Sequence, residues 1–230
     1  MPTPIDQLLT IMARLRAPDG CPWDREQDHQ TLRYHAVEEV YEMIDAIESG
    51  DDQELEEELG DLLLQVVFHC QLGRERGAFD FTSVARKLVA KLIYRHPHVF
   101  GTATANTAAA VWAQWDRLKR DEKRGTKSER TSAMDGIPRH LPALMRAQKL
   151  WKKAVKAKVA EPLRASPPPP GFPPRKDCRT PAQVARALFE LAALCQERGW
   201  SAEALLRQEA KRRERAWRSK ERKDNGVASK

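Results

Sequence analysis

Two apolar stripes with helical spacing, separated only by a short polar break, constrain the fold more than any other feature of this sequence. The break is Ser49-Gly50-Asp51-Asp52, where glycine can end one helix and aspartate can begin the next. The first stripe contains Val37, Val40, Tyr41, Ile44 and Ile47, and the second contains Leu55, Leu59, Leu62, Leu63, Val66 and Val67. Because so short a loop joins antiparallel neighbours, the sequence predicts a helical hairpin.

The rest of the chain has the same helical character. Residues 21–24 are predicted to be irregular, and a Lys-rich helix over 137–159 is predicted to be interrupted near Pro138 and Pro142. Further helices are predicted over residues 5–15, 84–94, 108–123, 181–198 and 202–220. Since no segment alternates as a strand does, we predict an all-α fold.

Composition excludes several classes of protein. A chain of 230 residues with 41% hydrophobic and 32% charged residues is expected to be globular. Its four cysteines are far apart and form no CxxC pair, so we expect reduced thiols rather than zinc ligands or disulfides. The chain has neither a signal-like N-terminus nor about 18 consecutive apolar residues, which predicts a soluble, cytoplasmic protein without a membrane partner.

Charge is unevenly distributed along the chain. The net charge is +7, yet residues 38–61 contain twelve carboxylates and no lysine or arginine. An acidic segment of this density suggests a cation site, whereas the basic segments suggest phosphate, nucleic acid or solvated helix faces. For the basic segments, the solvated-face interpretation is favoured.

Four carboxylates in the acidic segment have a spacing that suits a metal site. Glu39 and Glu42 lie three residues apart on the first hairpin helix, and Glu58 and Asp61 do so on the second. Antiparallel packing would bring the pairs together, and Mg²⁺ prefers such oxygen ligands. The alternative is ordinary surface decoration, but Glu42 and Glu58 border the apolar stripes, where unpartnered charges are rare.

These carboxylates belong to two recognisable motifs, EExxE at Glu38 to Glu42 and ExxD at Glu58 to Asp61. Together they resemble the signature of the MazG nucleotide pyrophosphohydrolases, and residues 5–150 resemble that family continuously. The resemblance also covers Cys21-Pro22-Trp23-Asp24, Gly60 to His69, Arg95 to Gly101, Trp115 to Lys119, Asp135 to Pro138 and Leu141 to Leu144.

The resemblance implies an antiparallel helical bundle of the all-α NTP pyrophosphatase type that forms a homodimer, with a tetramer also open. It implies Mg²⁺, replaceable by Mn²⁺, held by Glu39, Glu42, Glu58 and Asp61. The expected reaction converts an NTP or dNTP to NMP or dNMP and pyrophosphate, through attack of a metal-activated water at the α-phosphorus, as in cleaning of the nucleotide pool. Glu38 is a candidate to orient that water, although a merely solvated or hydrogen-bonded role is equally compatible.

The resemblance also implies four substrate-binding residues. Lys91 and Arg95 match positions that contact triphosphate, and Trp115 and Lys119 could stack on a base and reach a phosphate. The alternatives are a basic helix end that satisfies its own carbonyls and a buried core tryptophan. Because Mg²⁺ favours oxygen ligands, the three histidines of the matching motifs are expected to be structural. These are His69, His96 and His98.

The C-terminal part departs from the family pattern. Residues 1–125 are predicted to form the catalytic domain, and 126–175 a linker with a helix and a Pro-rich connector at 166–174. Residues 176–230 are predicted to be a degenerate second copy, because an offset of 125 residues places Gln183 at Glu58 and Arg186 at Asp61. Residues 151–230 are thus expected to bind no metal. Coincidence between amphipathic helices is the alternative.

A non-catalytic function stays open at this stage. The chain could be a nucleotide-sensing or nucleic-acid-binding helical protein that uses its basic segments and keeps the acidic helices as a scaffold. The complete set of four carboxylates favours the enzyme, since a scaffold does not require it. Nucleic acid is an unlikely partner, because no aromatic interleaving accompanies the basic helix over residues 207–223.

Overall fold

The computed structural model describes residues 1–126, 129, 131–162 and 180–227, with the side chains of Asp116, Arg120 and 220–227 excepted. In these residues the chain is helical and contains no strand, which confirms the all-α prediction. The helices are α1 (Pro4–Leu15), α2 (Pro22–Glu26), α3 (His35–Ser49), α4 (Asp52–Glu75), α5 (Phe81–Arg95), α6 (Pro97–Phe100), α7 (Ala108–Asp121), α8 (Ala143–Lys156), α9 (Pro181–Glu197) and α10 (Ala202–Val227). Over the described ranges, none of them is both long and apolar enough to cross a lipid bilayer.

The chain divides into two compact units, Met1–Lys119 and Arg120–Lys230. The sequence analysis instead ends the first domain at residue 125 and places a linker before a second helical segment. The Pro-rich connector predicted at 166–174 and Cys178 lie outside the described residues. The interpretation of residues 176–230 as a degenerate second copy stays a prediction.

The predicted hairpin is present in the first unit as α3 and α4. Gly50 ends α3 with a left-handed backbone conformation at φ 75°, which glycine adopts without a Cβ clash. Asp51 then caps α4, because its carboxylate accepts hydrogen bonds from the backbone amides of Gln53 and Glu54. Glu39 near the start of α3 is hydrogen bonded to Gln65 on α4, so the two helices run antiparallel.

The core of the first unit lies on the C-terminal half of α4, which contacts α1, α3 and α5. Its buried side chains are Met12, Leu32, Val67, Phe68 and Leu72. Arg16 secures one edge of this core. Its side chain is 9% exposed, forms two hydrogen bonds of 2.7 and 2.8 Å to Glu75, and donates to the backbone carbonyls of Asp24 and Gln27. The ends of α1 and α4 are thus joined by an ion pair in which Arg16 is nearly buried and Glu75 is exposed.

The apolar stripe of α3 is largely exposed in a single chain. Ala46 is the buried residue of this helix, whereas Val37, Val40 and Ile47 are exposed, Ile47 by 56%. Exposed apolar side chains also follow α4 and α5. On α4 they are Leu59, Leu63 and Val66, and on α5 they are Leu88, Val89, Leu92, Ile93 and Tyr94. Exposed apolar side chains in this number are typical of surfaces that another protein covers.

Two local structures differ from the sequence expectations. Residues 22–26 form the short helix α2, which starts with Pro22 at its first position and is too short to show periodicity. The helix predicted over 137–159 begins only at Ala143, after Pro142 as its N-cap residue. Proline favours the start of a helix over its interior, so the interruption predicted there becomes a boundary.

The second unit is built on contacts of α8 with α9 and α10. The buried amide of Gln148 joins them, because its Nε2 donates to the Trp200 carbonyl at 2.7 Å and its Oε1 accepts from the Ala202 amide at 2.9 Å. At the start of α9, Gln183 forms a capping box with Thr180. Gln183 therefore lies in the first turn of its helix, whereas Glu58, its predicted counterpart, lies well inside α4.

Candidate metal centre

A cluster of three carboxylates lies between α3 and α4. Glu39, Glu58 and Asp61 each offer one oxygen, and these three oxygens lie within 4.8 Å of one another. The antiparallel hairpin brings Glu39 opposite the ExxD turn of α4, as the spacing predicts. Among the residues that the structure describes, this is the group of acidic, histidine or cysteine side chains close enough to hold one metal ion.

Burial and mutual repulsion disfavour the charged form of Glu39. The side chain is half-buried, and this burial raises the pKa of its carboxyl group, to which the charges of Asp61 and Glu42 add. A hydrogen bond of 3.1 Å from Gln65 Nε2 to Glu39 Oε1 acts in the opposite direction and lowers the pKa. Gln65 therefore helps to keep Glu39 ionised.

The charged form of Glu58 is disfavoured in the same way, and among the described residues no hydrogen bond like that of Gln65 lowers the pKa of its carboxyl group. Burial is the main cause that raises the pKa of its carboxyl group, followed by the charges of Glu42, Asp61 and Glu39. Its Oε2 atom is buried and accepts no hydrogen bond from the described part of the chain. A buried carboxylate oxygen in that state is destabilising unless a ligand completes its interactions.

A hard divalent cation fits this donor set. Oxygens from carboxylates are the ligands that Mg²⁺ and Ca²⁺ prefer, and a cation would offset both the mutual repulsion and the unmet bonding capacity of Glu58 Oε2. A bound cation would therefore relieve the unfavourable electrostatics of the cluster. Carboxylate oxygens suit Mg²⁺ and Ca²⁺ alike.

Glu42 and Glu38 occupy less central positions. Glu42 is exposed and lies outside the group of three, although it is close enough for its charge to raise the pKa of both Glu39 and Glu58. Glu38 is exposed and faces His35 on its own helix, with 3.8 Å between Glu38 Oε2 and His35 Nδ1. The structure therefore brings together three of the four predicted ligands, with Glu42 beside them.

Gln65 is a site residue that the sequence analysis did not single out. It is 7% exposed, and its Oε1 atom is buried without a hydrogen-bond partner in the described residues. The signal in the sequence is a lone polar residue inside the apolar run Leu62 to Phe68. Residue 65 also follows Glu58 and Asp61 at helical spacing, so all three project from one face of α4.

The predicted substrate-binding residues lie on α5 and α7. The guanidinium of Arg95 lies over the indole of Trp115, 6.0 Å from the ring centroid, and His96 meets the same indole edge-on at 5.5 Å. Trp115 and Lys119 are half-buried, whereas Lys91 is exposed on α5. Arg95 and Trp115, which are predicted to bind phosphate and base, are thus brought into direct contact.

Two histidines are hydrogen bonded to each other in the C-terminal half of α4, His69 on the helix and His29 beside it. His29 and His69 stack, with 2.7 Å between their Nδ1 atoms, and Arg76 lies 2.8 Å from His29 Nε2. Because Arg76 can only donate, His29 must accept at Nε2 and donate from Nδ1 to His69. Burial, and secondly the charge on His29, lower the pKa of His69. His69 therefore accepts this hydrogen bond at its Nδ1 atom.

Comparison with known proteins matches part of this chain to a family. Residues 27–100 match the family model of the MazG nucleotide pyrophosphohydrolase domain, and this range contains the whole carboxylate cluster. The chain is 49% identical over 150 residues to a nucleoside triphosphate pyrophosphohydrolase of Escherichia coli (strain K12), covering 65% of this chain and 56% of that protein. It is 45% identical over 149 residues to the nucleoside triphosphate pyrophosphohydrolase/pyrophosphatase MazG of Thermotoga maritima, with 65% and 56% covered.

A third relative is more distant. The chain is 39% identical over 151 residues to a nucleoside triphosphate pyrophosphohydrolase of Mycobacterium tuberculosis, which covers 65% of this chain and 44% of that protein. The matched part of this chain thus spans about half the length of these curated relatives. The family model, the identity and the position of the acidic cluster agree, and the chain therefore carries a MazG nucleotide pyrophosphohydrolase domain in residues 27–100.

Proposed function

We propose that this chain is a Mg²⁺-dependent nucleoside triphosphate pyrophosphohydrolase, which converts NTPs or dNTPs to the monophosphate and pyrophosphate. The observation that carries the proposal is the cluster of Glu39, Glu58 and Asp61, whose oxygens lie within 4.8 Å. Relatives at 45–49% identity are named for the same reaction, which supports the assignment.

The carboxylates of the hairpin would bind the metal ion and orient the attacking water. Glu39, Glu58 and Asp61 would hold the ion, and Glu42, which already influences two of them electrostatically, would complete the set. When bound, Mg²⁺ supplies charge neutralisation on the phosphates and lowers the pKa of water. Glu38 lies exposed beside this group, which suits a carboxylate that orients the attacking water.

The cationic and aromatic side chains would bind the rest of the nucleotide. Lys91, Arg95 and Lys119 would neutralise the triphosphate, because guanidinium and ammonium groups pair with phosphate oxygens. Trp115 would contribute to an aromatic wall beside the base. Its contact with Arg95 would link base recognition to phosphate recognition within the first unit.

We also propose that two copies of the chain associate through the exposed apolar stripes of α3, α4 and α5. Leu59, Leu63 and Val66 follow one stripe of α4, as expected for a helix seam that requires a partner. Replacing Leu63 with Glu should convert a dimer of the wild-type chain to monomers, as measured by light scattering coupled to size exclusion. A wild-type chain that elutes as a monomer at micromolar concentration would remove this part of the proposal.

The reaction is tested by incubating the purified chain with Mg²⁺ and a panel of NTPs and dNTPs, and by separating NMP and pyrophosphate from NDP and phosphate. Glu58→Gln should abolish the activity, because it replaces a carboxylate of the cluster with a neutral amide. Glu56→Gln, an exposed carboxylate on the same helix, is the matched control and should retain it. Release of NDP, or full activity of Glu58→Gln, would contradict the proposed reaction or the proposed site.

The nucleic-acid-binding alternative makes a different prediction in the same experiment. Salt-sensitive binding of nucleic acid that survives Glu39→Gln, together with no cleavage of any nucleotide in the panel, would favour it. The cytoplasmic location and the role in cleaning the nucleotide pool stay predictions from the sequence.

A further inference from the structure

Trp112 is an exposed tryptophan next to the proposed nucleotide-binding side chains. It lies on α7, three residues before Trp115, so both indoles project from the same face of that helix. Trp112 is 66% exposed, whereas Trp115 is half-buried. The sequence predicts base stacking for Trp115 and no role for Trp112.

Three neighbouring side chains surround the half-buried ring of Trp115. Trp112 stacks on it with 5.8 Å between the ring centroids and 20° between the ring planes. Arg95 lies over the Trp115 ring at 6.0 Å, and His96 meets it edge-on at 74°. Of the two indoles, Trp112 therefore offers the larger exposed surface to a base.

The stack instead ends in an accessible face on Trp112. A nucleobase is flat and aromatic, and it gains stacking energy on an indole whatever its hydrogen-bonding edge. Trp112 is held in a stack by Trp115, which in turn contacts Arg95, a predicted phosphate ligand. Tryptophan loses little conformational freedom when it is stacked in this way, so a further ring can add to the stack at low entropic cost.

We infer that the base of the nucleotide stacks on the outer face of Trp112, and that Trp115 acts as the support that orients Trp112. This inference rests on the proposed function and makes it more specific. The order of the stack is base, Trp112 and Trp115, with Arg95 against Trp115. Because stacking of this kind tolerates every base, it contributes affinity for nucleotides in general more than preference among them.

The test compares a ligand that has a base with one that lacks it. The first is the α,β-methylene analogue of the nucleoside triphosphate that the wild-type chain cleaves fastest, and the second is inorganic triphosphate, both titrated calorimetrically in the presence of Mg²⁺. Trp112→Ala should weaken binding of the analogue by about 5- to 100-fold. Binding of triphosphate should change less than about twofold, because it involves only the phosphate-binding groups. Trp112→Phe should recover a large part of the lost affinity.

The matched control is Trp217→Ala, which removes an indole of similar exposure, 62%, from α10 in the second unit. It should leave both affinities unchanged. Light scattering of each variant checks that Trp112 is not a contact between copies of the chain. Unchanged analogue affinity in Trp112→Ala, an equal loss of triphosphate affinity, or a changed oligomeric state would each overturn the inference. Absence of cleavage by the wild-type chain would instead count against the proposed function.

Discussion

Replacing Gln65 with Leu should lower the activity while leaving the free energy of unfolding nearly unchanged. The substitution therefore tests whether Gln65 positions the metal ligand Glu39. Leu has nearly the volume of Gln, so the packing of α4 against α3 should be kept. The substitution removes the 3.1 Å hydrogen bond to Glu39 and also the buried Oε1 atom, which has no partner among the described residues. These two losses have opposite effects on the free energy of unfolding.

These two contributions to the free energy of unfolding nearly cancel. A hydrogen bond from an amide to a carboxylate stabilises by about 1.5–3 kcal/mol, and an unpaired buried carbonyl destabilises by about 1–3 kcal/mol. Because Glu39 is only half-buried, the lower end of the first range applies. The net change should stay within about 1 kcal/mol, or about 4 °C in Tm for a chain of this size. Activity should nevertheless fall by about 10- to 100-fold, as for other residues that orient metal ligands.

The assay is kcat/KM against Mg²⁺ concentration and pH, with Tm measured on the same preparations. Gln65 lowers the pKa of Glu39, so its removal should raise that pKa further. The acidic limb of the pH–activity profile should consequently move to higher pH, and more Mg²⁺ should be needed. Gln71→Leu is the matched control, since Gln71 donates a 2.9 Å hydrogen bond to Glu75 on the same helix but away from the cluster.

Two results would refute this reasoning. If Gln65→Leu has the kcat/KM and the Mg²⁺ requirement of the wild-type chain, Gln65 does not position Glu39. If Tm falls by about 10 °C or more, the hydrogen bond stabilises the fold far beyond the cost of the unpaired oxygen, and the cancellation is wrong.

Three further predictions follow from other contacts. Mg²⁺ should raise Tm more at pH 7.5 than at pH 5, because Glu39 and Glu58, whose pKa values are raised, must lose protons to bind the ion; an equal shift at both pH values in thermal scans would contradict this. Arg16→Met should lower the free energy of unfolding by about 1–3 kcal/mol in a denaturant titration, because it removes the donor to the backbone carbonyls of Asp24 and Gln27, whereas Glu75 keeps its hydrogen bond from Gln71. The wild-type chain should lose stability as pH falls from about 7 to 5, because unfolded His69 takes up a proton near its ordinary pKa of about 6.5 while the folded residue, with its lowered pKa, does not. His69→Asn should have a smaller slope over that range, and an identical slope would show that other groups cause it.

The sequence predicts the hairpin and the acidic site because both depend on local spacing. Gly50 and Asp51 determine where α3 ends and α4 begins, and the three-residue spacing of Glu58 and Asp61 places both on one face of a helix. Such features follow from helix geometry alone. The predicted ligands Glu39, Glu58 and Asp61 are found together for that reason.

Other parts of the structure depend on contacts between distant segments, which spacing does not encode. The pair of His29 with His69 joins residues 40 positions apart, and Arg16 pairs with Glu75 across 59 positions. The sequence also predicts an apolar stripe on α3 without indicating whether the same chain covers it. Tertiary packing decides that question, and in a single chain much of the stripe is exposed.

The α3–α4 hairpin has a consequence for the order in which the protein folds. All three clustered carboxylates come from one pair of helices joined by a tight turn, so their association requires closure of only a short loop. Contacts that are local along the chain form early and rapidly, whereas those that tie α1 to the end of α4 must wait for a longer closure. We therefore expect the cation-binding group to exist in a nascent chain before the hydrophobic core is complete, at a stage when a bound ion could still select the native register of the hairpin.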